Sequence, residues 1–236
     1  MFNSTKFNKN LNNYDLNAVI QKNIAMKLVK TLKQYGNNFN QIFEIGCGSG
    51  FLTENIYNNL KYIDFYTNDI VENSRDYVKN YTKNFIYGNA ETIDFPENNN
   101  LIISSSVFQW LENFNYFIHK IYNSLNKDGM FAFSMFIDGN YSQIKQYLDI
   151  ALNYKTTEEI KNILNKHFNI LYYEENENIL HFNSVKKVLN HIRNTGINVI
   201  SDKRLTKSQL STYIESNNTN LNYKYNFVIA RKKWTT

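Results

Sequence analysis

The sequence predicts an α/β fold, a mostly parallel sheet with helices on both faces. Three observations carry that prediction. Short apolar or aromatic runs alternate with stretches of helical periodicity from Ile42 to Phe136, the pattern of consecutive strand–helix–strand units. Three glycines spaced two apart, Gly46, Gly48 and Gly50, join the first such run to a helical pattern that opens at Leu52. Asp69 stands about 20 residues further on, where a doubly wound sheet places a carboxylate for ribose hydroxyls.

Taken in order, Asp15 can cap a first helix in which Val19, Ile20, Ile24, Leu28, Val29 and Leu32 recur at helical spacing, with Gln21 and Lys22 on it and Gly36 and two asparagines ending it. Ile42 to Ile45 is a first strand and Leu52 to Leu60 the first crossover helix. Tyr62 to Thr67 alternates and is aromatic-rich, as a second strand should be, and stops at Asn68-Asp69. A helix over Asn73 to Tyr81, strand Phe85-Ile86-Tyr87, and strand Leu101 to Ser104 follow. The last runs into a loop, Ser104 to Leu111, at the carboxyl edge of the sheet, where ligands bind. Helix Phe114 to Leu125, turn Lys127-Asp128-Gly129 and strand Met130 to Phe136 complete the alternation. Beyond it, helices are expected over Tyr141 to Leu152 and Thr156 to Phe168, the latter with Thr156 and Glu159 spaced as a capping box. Asn169 to Tyr173 and Ile179 to Phe182 read as a strand pair. Ser184 can cap a helix closed by Gly196, Thr206 and Gln209 form a second capping box, and Tyr223 to Ala230 is a last strand before basic Arg231-Lys232-Lys233.

The bend itself narrows the ligand. Glycines leave a turn without Cβ atoms, so a ligand can lie on the backbone beside free helix N–H groups. The spacing is Glu-x-Gly-x-Gly-x-Gly, with Glu44 inside the strand, and differs from the Gly-x-Gly-x-x-Gly of dinucleotide folds. A nucleoside suits it better than a pyrophosphate. Cys47, the one cysteine, excludes an internal disulfide and a cysteine-rich metal site. It reads as a small residue tolerated beside a backbone-hugging ligand, because no neighbouring base is evident to make it a nucleophile. The four histidines show no metal spacing, so no metal is expected.

Composition sets outer bounds. At 236 residues and 42% apolar, the chain suits one α/β domain with an added cap. No apolar run approaches the ~20 residues of a membrane span, and the opening residues are polar, so a cytoplasmic protein without membrane contact is expected. The net charge of +5 and pI of about 9.0 allow an acidic partner, although lysines are scattered and form no long basic block.

The glycine loop, Glu44 to Gly50, resembles the S-adenosylmethionine loop of the Rossmann-like class I methyltransferases. Phe7-Asn8-Lys9, Tyr14-Asp15 and Ala18 to Lys22 resemble, more narrowly, the opening of the malonyl-[acyl-carrier protein] O-methyltransferases of biotin synthesis. So do Ile102 to Trp110, Phe131 to Phe136, Phe182-Asn183-Ser184, Val188 to Gly196 and Tyr223 to Lys232. The Phe-Gln-Trp segment and the Ile-Arg-x-Thr-Gly segment are the most specific. The family usually has Asp where this chain has Asn89, which accepts a bond without charge. The segment between Asn140 and Lys155 is also short for the family.

The resemblance implies a seven-stranded sheet with a helical lid, in a single domain over 1–236. An N-terminal helical cap would occupy 1–40, the cofactor-binding core 41–136, lid and remaining sheet elements 137–222, and the final strand and basic tail 223–236. It implies S-adenosylmethionine as cofactor. Glu44, Gly46, Cys47, Gly48 and Gly50 would hold it from the first loop, and Asp69 with Ile70 from the second. Asn89 with Ala90 would meet it from the third, Ser104 from the fourth, and Gln21 at the methionine end. It implies methyl transfer to the free carboxylate of malonyl-[acyl-carrier protein]. That nucleophile is ionised at neutral pH and needs no general base, so alignment and desolvation suffice. Tyr14, Phe108, Gln109, Trp110 and Phe182 are candidate pocket residues, with Phe108 expected in the wall, and Arg193 and Lys145 are candidate cations for the malonyl end. The acidic carrier would dock on a rim drawn from Lys186, Lys187, Arg193, Lys203 and Arg204. A monomer is expected, with no nucleic-acid partner, since an Asn/Asp-Pro-Pro-Tyr/Phe motif is absent. A small-molecule methyltransferase of the same fold, or a cofactor-binding assembly factor without activity, are the rival readings.

Overall fold

A computed structural model describes residues 17–148, 152–195 and 206–233. Its strands are β1 (Asn38–Ile45), β2 (Lys61–Asp69), β3 (Asn84–Tyr87), β4 (Asn99–Ser105), β5 (Leu125–Phe136), β6 (Phe168–His181) and β7 (Asn220–Lys232). The helices are α1 (Val19–Leu32), α2 (Phe51–Asn59), α3 (Ser74–Val78), α4 (Phe114–Ser124), α5 (Ser142–Leu148), α6 (Thr157–Leu164), α7 (Val185–Asn194) and α8 (Lys207–Glu215), with one 3-10 turn at Phe108–Trp110. The sheet order is β3-β2-β1-β4-β5-β7-β6. Strands β1 to β5 pair in parallel, and β7 runs antiparallel to both β5 and β6.

Strand periodicity divides the core into two layers. Ile42, Leu101, Ile103, Ala132, Phe227 and Ile229 pack on the face covered by α1 and α2. Their neighbours Phe43, Ile102, Phe131, Phe133, Val228 and Ala230 pack on the other, against α4 and α6. Burial on both faces is why these strands read as continuous apolar runs, without clean alternation. The order reverses between β1 and β4, so a crevice opens beyond their carboxyl ends.

The capping residues sit as their spacing predicts. Thr156 with Glu159 and Thr206 with Gln209 form complete capping boxes, and Ser184 accepts from the Lys187 N–H. Asp15 and Gly196 lie outside the described residues. The Lys127-Asp128-Gly129 turn is a bulge inside β5, where Asn99 pairs with Leu125 but Leu101 already pairs with Met130.

One expectation fails. The strand pair over Asn169 to Phe182 is a single edge strand, β6, along β7. Its polar middle looks like a turn, but each polar residue has a partner across the edge. Lys27 Nζ reaches Glu174 at 2.7 Å and Asn176 at 3.2 Å, Asn222 donates to Glu177 at 2.9 Å, and the Tyr225 hydroxyl donates to Asn178. An edge strand with one solvated face tolerates that composition. Among the described residues no helix is long and apolar enough to cross a membrane, and no three His, Cys, Asp or Glu side chains cluster as a metal would require.

Candidate active site

The crevice at the strand-order reversal is a cleft of about 210 Å³. The glycine bend forms its floor. Gly46, Gly48 and Gly50 all have positive φ, at 73°, 51° and 85°. They serve different ends. A Cβ on Gly46 would lie 2.3 Å from Val107 Cγ2, so that glycine admits the loop after β4. A Cβ on Gly48 would meet nothing within 4 Å, so that glycine faces open cleft. Gly50, left-handed, starts α2 without a side-chain cap, which leaves first-turn N–H groups at the bend.

Asp69 ends β2 directly across from this bend. Its Oδ2 accepts from the Gly48 N–H at 2.7 Å and its Oδ1 from the Val71 N–H at 2.8 Å. Burial pushes its pKa up to about 6, against the pull of those N–H donors. At pH 7 and above it is ionised, and a carboxylate has acceptor capacity beyond these two bonds for a ligand hydroxyl.

Glu44 occupies a different place from the one its position in the motif suggests. It does not line the cleft. Strand alternation turns it under α2, where Thr53 Oγ1 donates to its Oε2 at 2.7 Å. Burial, then the nearby Asp69 charge, push its pKa up to about 8, so it is largely a neutral acid at pH 7. Unfolding releases it to the ordinary value of 4.5. Its contribution to stability is therefore full below pH 4.5 and is lost as pH rises through about 8. Glu44→Gln keeps an acceptor for Thr53 and removes the titration. Thermal scans of the ligand-free protein from pH 5 to pH 8 should show the parent losing several degrees more than the variant, a difference of a few kcal/mol at most. Parallel curves would refute the neutral-acid assignment. The same burial and the two acids hold the Cys47 thiol well above its ordinary range, so it remains a protonated, inert thiol.

Ile70, Asn89 and Ala90 line the cleft next to Asp69. The Asn89 amide oxygen accepts from the Glu91 N–H at 3.0 Å, so it caps its own turn and keeps one lone pair for a ligand. The Lys120 ammonium fixes that turn from behind. It donates to the carbonyls of Ala90, Glu91 and Ile93. Nothing in the local sequence marks Lys120, because its targets lie some 30 residues earlier in the chain.

The loop after β4 separates what the sequence had grouped. The 3-10 turn aims Phe108 down into an aromatic cluster with Phe114, Phe117, Phe131 and Phe133, where it is 2% exposed, and Gln109 and Trp110 up into the cleft. Phe108 is thus core, not wall. Ser104 donates to the Ile45 carbonyl at 2.8 Å and ties β4 to β1, whereas Ser105 and Ser106 line the cleft. Ser106 sits at φ 60°, an unusual conformation for a serine at the rim of a site.

Gln21 turns inward from α1 and lines the same cleft. Its Oε1, with Ser49 Oγ, Ser106 Oγ and Gln109 Oε1, is buried without a partner among the described residues. Buried polar atoms are normally satisfied. Four such atoms around one cleft fit a ligand carrying several polar groups. With the open face of Gly48 and the acceptors of Asp69, they suit a ligand with the several polar groups of S-adenosylmethionine.

Other predicted residues stand elsewhere. Phe182 packs on the His191 ring, centroids 5.1 Å apart, and Arg193 is exposed on α7; neither lines the cleft. Lys145 is exposed beside a shallow neighbouring groove. Tyr14 lies outside the described residues. Sequence reasoning missed Phe136, Tyr141, Tyr154 and Thr195, which close the far end of the cleft. They come from separate segments, and only Phe136 and Thr195, inside the family-like segments Phe131 to Phe136 and Val188 to Gly196, carried a local signal.

A family model described as a methyltransferase domain matches residues 43–133. Malonyl-[acyl-carrier protein] O-methyltransferase of Calditerrivibrio nitroreducens is 32% identical over 204 residues, covering 86% of this chain and 82% of that one. The enzyme of the same name from Chlorobium luteolum is 31% identical over 214 residues, 86% of this chain and 81% of its own. Among solved structures, the N-methyltransferase NodS of Bradyrhizobium japonicum, in complex with S-adenosyl-L-homocysteine, superposes with a TM-score of 0.56 at 12% identity, covering 89% of this chain and 86% of that chain, a likeness of fold alone.

Proposed function

This chain belongs to the malonyl-[acyl-carrier protein] O-methyltransferase family, and from that kinship and the shape of the cleft we infer that it methylates the free carboxylate of a malonyl group held on acyl carrier protein. S-adenosylmethionine, when bound, supplies a sulfonium methyl that is electrophilic without further activation. Gly48 and Asp69 hold the nucleoside end, Gln21 and the start of α2 the amino-acid end, and Trp110 with Phe136 shields the reacting atoms from water. A carboxylate oxygen forms the new bond to carbon as the carbon–sulfur pair returns to sulfur. The product is a methyl ester, and no proton leaves the acceptor. A place in biotin synthesis would follow from that product.

The kinship carries the choice of acceptor, and the chemistry of the cleft agrees with it. Among the described residues that line it, Tyr141, Tyr154 and Thr195 carry hydroxyls, Gln21 and Gln109 amides, and Asp69, Glu91 and Glu112 carboxyls. Burial holds the Tyr154 hydroxyl well above the usual phenol range, so it keeps its proton. An amine or phenol would need deprotonation there. A carboxylate arrives ionised.

The test is direct. Protein, S-adenosylmethionine and malonyl-carrier are incubated and the carrier is weighed by mass spectrometry. One added methyl is expected, with succinyl-carrier and malonyl-coenzyme A as controls. Cofactor uptake without any methylated product would instead favour the non-catalytic assembly factor.

Nucleic acid and membrane have no part in this reading, and a monomer suffices for it. Lys186 and Lys187 are exposed at the start of α7, and Arg193 is exposed on the same helix, as a rim for an acidic carrier needs. Lys203 and Arg204 lie outside the described residues. Reversing Lys186 and Lys187 to Glu should lower kcat/KM on malonyl-carrier by roughly 10-fold and leave malonyl-coenzyme A turnover nearly unchanged. Equal loss on both acceptors would move the docking surface elsewhere.

A further inference from the structure

Two walls of the cleft come from strands that do not touch. The turn after β3 supplies Asn89, Ala90 and Glu91, and the loop after β4 supplies Gln109, Trp110 and Glu112. The sheet order puts β2 and β1 between those strands, so about 14 Å separates their axes. Ladder hydrogen bonds do not fix one wall against the other. That falls to side chains.

Two side chains reach across in opposite directions. Glu91 runs from the turn to the start of α4. Its Oε1 accepts from the Glu112 N–H at 3.1 Å and the Asn113 N–H at 3.0 Å, and its Oε2 lies 3.3 Å from the Glu112 nitrogen. A carboxylate ahead of a helix is also favoured by the helix dipole. Lys120 runs back from α4 to the turn, where it donates to the carbonyls of Ala90 at 2.9 Å and Glu91 at 3.3 Å and to that of Ile93. Turn and helix are thus clasped twice.

What the clasp joins is stiff on both sides. In the turn, the Asn89 carbonyl accepts from the Thr92 N–H at 2.9 Å and the Ile93 N–H at 3.0 Å, and a Cβ on Gly88 would lie 2.5 Å from Ile93 Cγ2. The loop is tied at its start. Val107 seats against Gly46, and the Ser106 N–H donates to the Ser134 carbonyl of β5 at 2.9 Å. Inside the loop, Gln109 Nε2 donates to the Ser106 carbonyl at 2.6 Å and the Trp110 N–H to the Val107 carbonyl at 3.0 Å. Glu91 ties its other end. Gln109 and Trp110 stand between the two ties.

Resting on the methyl transfer inferred above, we propose that Glu91 is a positioning residue for that reaction. By holding the end of the loop after β4, it sets the distance between the Asn89–Ala90 turn and Gln109–Trp110, and so the width of the cleft in which donor and acceptor meet. Its reach matters more than its charge, because one oxygen takes both of the shorter bonds. Lys120 supports the same spacing from the other side. A reaction that works by alignment depends on such a spacing more steeply than the stability of the fold does.

Three substitutions at this position and one spectroscopic signal test it. Trp234→Phe leaves Trp110 as the one tryptophan of the chain, and all variants are made in that background. Glu91→Ala should lower kcat on malonyl-carrier by about 10-fold or more. It should also raise the acrylamide quenching constant of Trp110 in the ligand-free protein by about twofold, as the loop loosens. Glu91→Gln keeps an oxygen for the Glu112 and Asn113 N–H groups and should stay within about threefold of the parent in kcat, with parent quenching. Glu91→Asp keeps the charge, is too short to reach, and should behave as the alanine variant does. Lys120→Met should act in the same direction, and joined to Glu91→Ala it should cost less than the product of the two single losses. Parent-like kcat and quenching in Glu91→Ala overturn the proposal, even if Tm falls, because Glu91 would then be a helix cap and nothing more. A parent-like Glu91→Asp beside a failing Glu91→Gln also overturns it, since charge would then be what counts. An inactive parent protein would refute the methyl transfer itself, while the quenching series would still decide whether Glu91 places Trp110.

Discussion

Asp69→Ala will weaken S-adenosylmethionine binding by at least about 100-fold, the loss of two charge-assisted hydrogen bonds at about 1.5–3 kcal/mol each. The side chain accepts from the Gly48 and Val71 N–H groups, so it shapes the bend, and in the proposed binding mode it also accepts from the ligand. Asp69→Asn should lose nearly as much as the alanine variant. Its amide group would have to point at either the Gly48 or the Val71 N–H, a donor facing a donor. The ligand-free melting temperature should fall only a few degrees, because removing a carboxyl whose ionisation burial already resists relieves a desolvation cost. Affinity of the parent protein should also decline as pH drops through about 6, where Asp69 takes up a proton and gives up an acceptor. Calorimetric titration decides all three. A Kd for Asp69→Ala within threefold of the parent would remove Asp69 from the site.

Gly46→Ala and Gly48→Ala should fail in opposite ways, though the two glycines are one residue apart in the same motif. At Gly46 the added methyl collides with Val107 and the backbone is left-handed, so the fold should lose about 3 kcal/mol, a fall of roughly 6–12 °C in Tm. At Gly48 the methyl meets nothing in the protein, so stability should drop by only about 1 kcal/mol. There the damage falls on the ligand. The methyl projects into the space against which the nucleoside would lie, and S-adenosylmethionine affinity should fall by roughly 10- to 100-fold. Adding Val107→Ala should recover part of the lost Tm at Gly46 and none of the lost affinity at Gly48, a coupling that a double-mutant cycle reads directly. Normal cofactor affinity in Gly48→Ala would place the ligand away from the bend.

The legible parts of this protein are those whose signal is local. Short apolar or aromatic runs between stretches of helical period located every strand from β1 to β5, and capping residues at Thr156, Ser184 and Thr206 marked helix starts. The glycine bend and Asp69 were readable because a ligand on bare backbone, with an acid at the end of the next strand, needs residue types that little else needs. Strand β6 was misread for a related reason. Its polar middle is satisfied by Lys27 and Asn222, which lie about 150 residues before it and 45 residues after it, so the run alone looks like a turn.

The glycine-bend side of the cleft was therefore determined by the sequence itself. Its parts follow successive strands, and each is specified by backbone freedom or by one side chain at a strand end. The opposite side of the cleft was decided by the tertiary structure. Gln109 and Phe108 are adjacent and point to opposite sides of a 3-10 turn, and Tyr141, Tyr154 and Thr195, from three separate segments, line one cleft. Which way a side chain faces, and what it faces, depends on contacts between segments far apart in the chain. No local pattern encodes those.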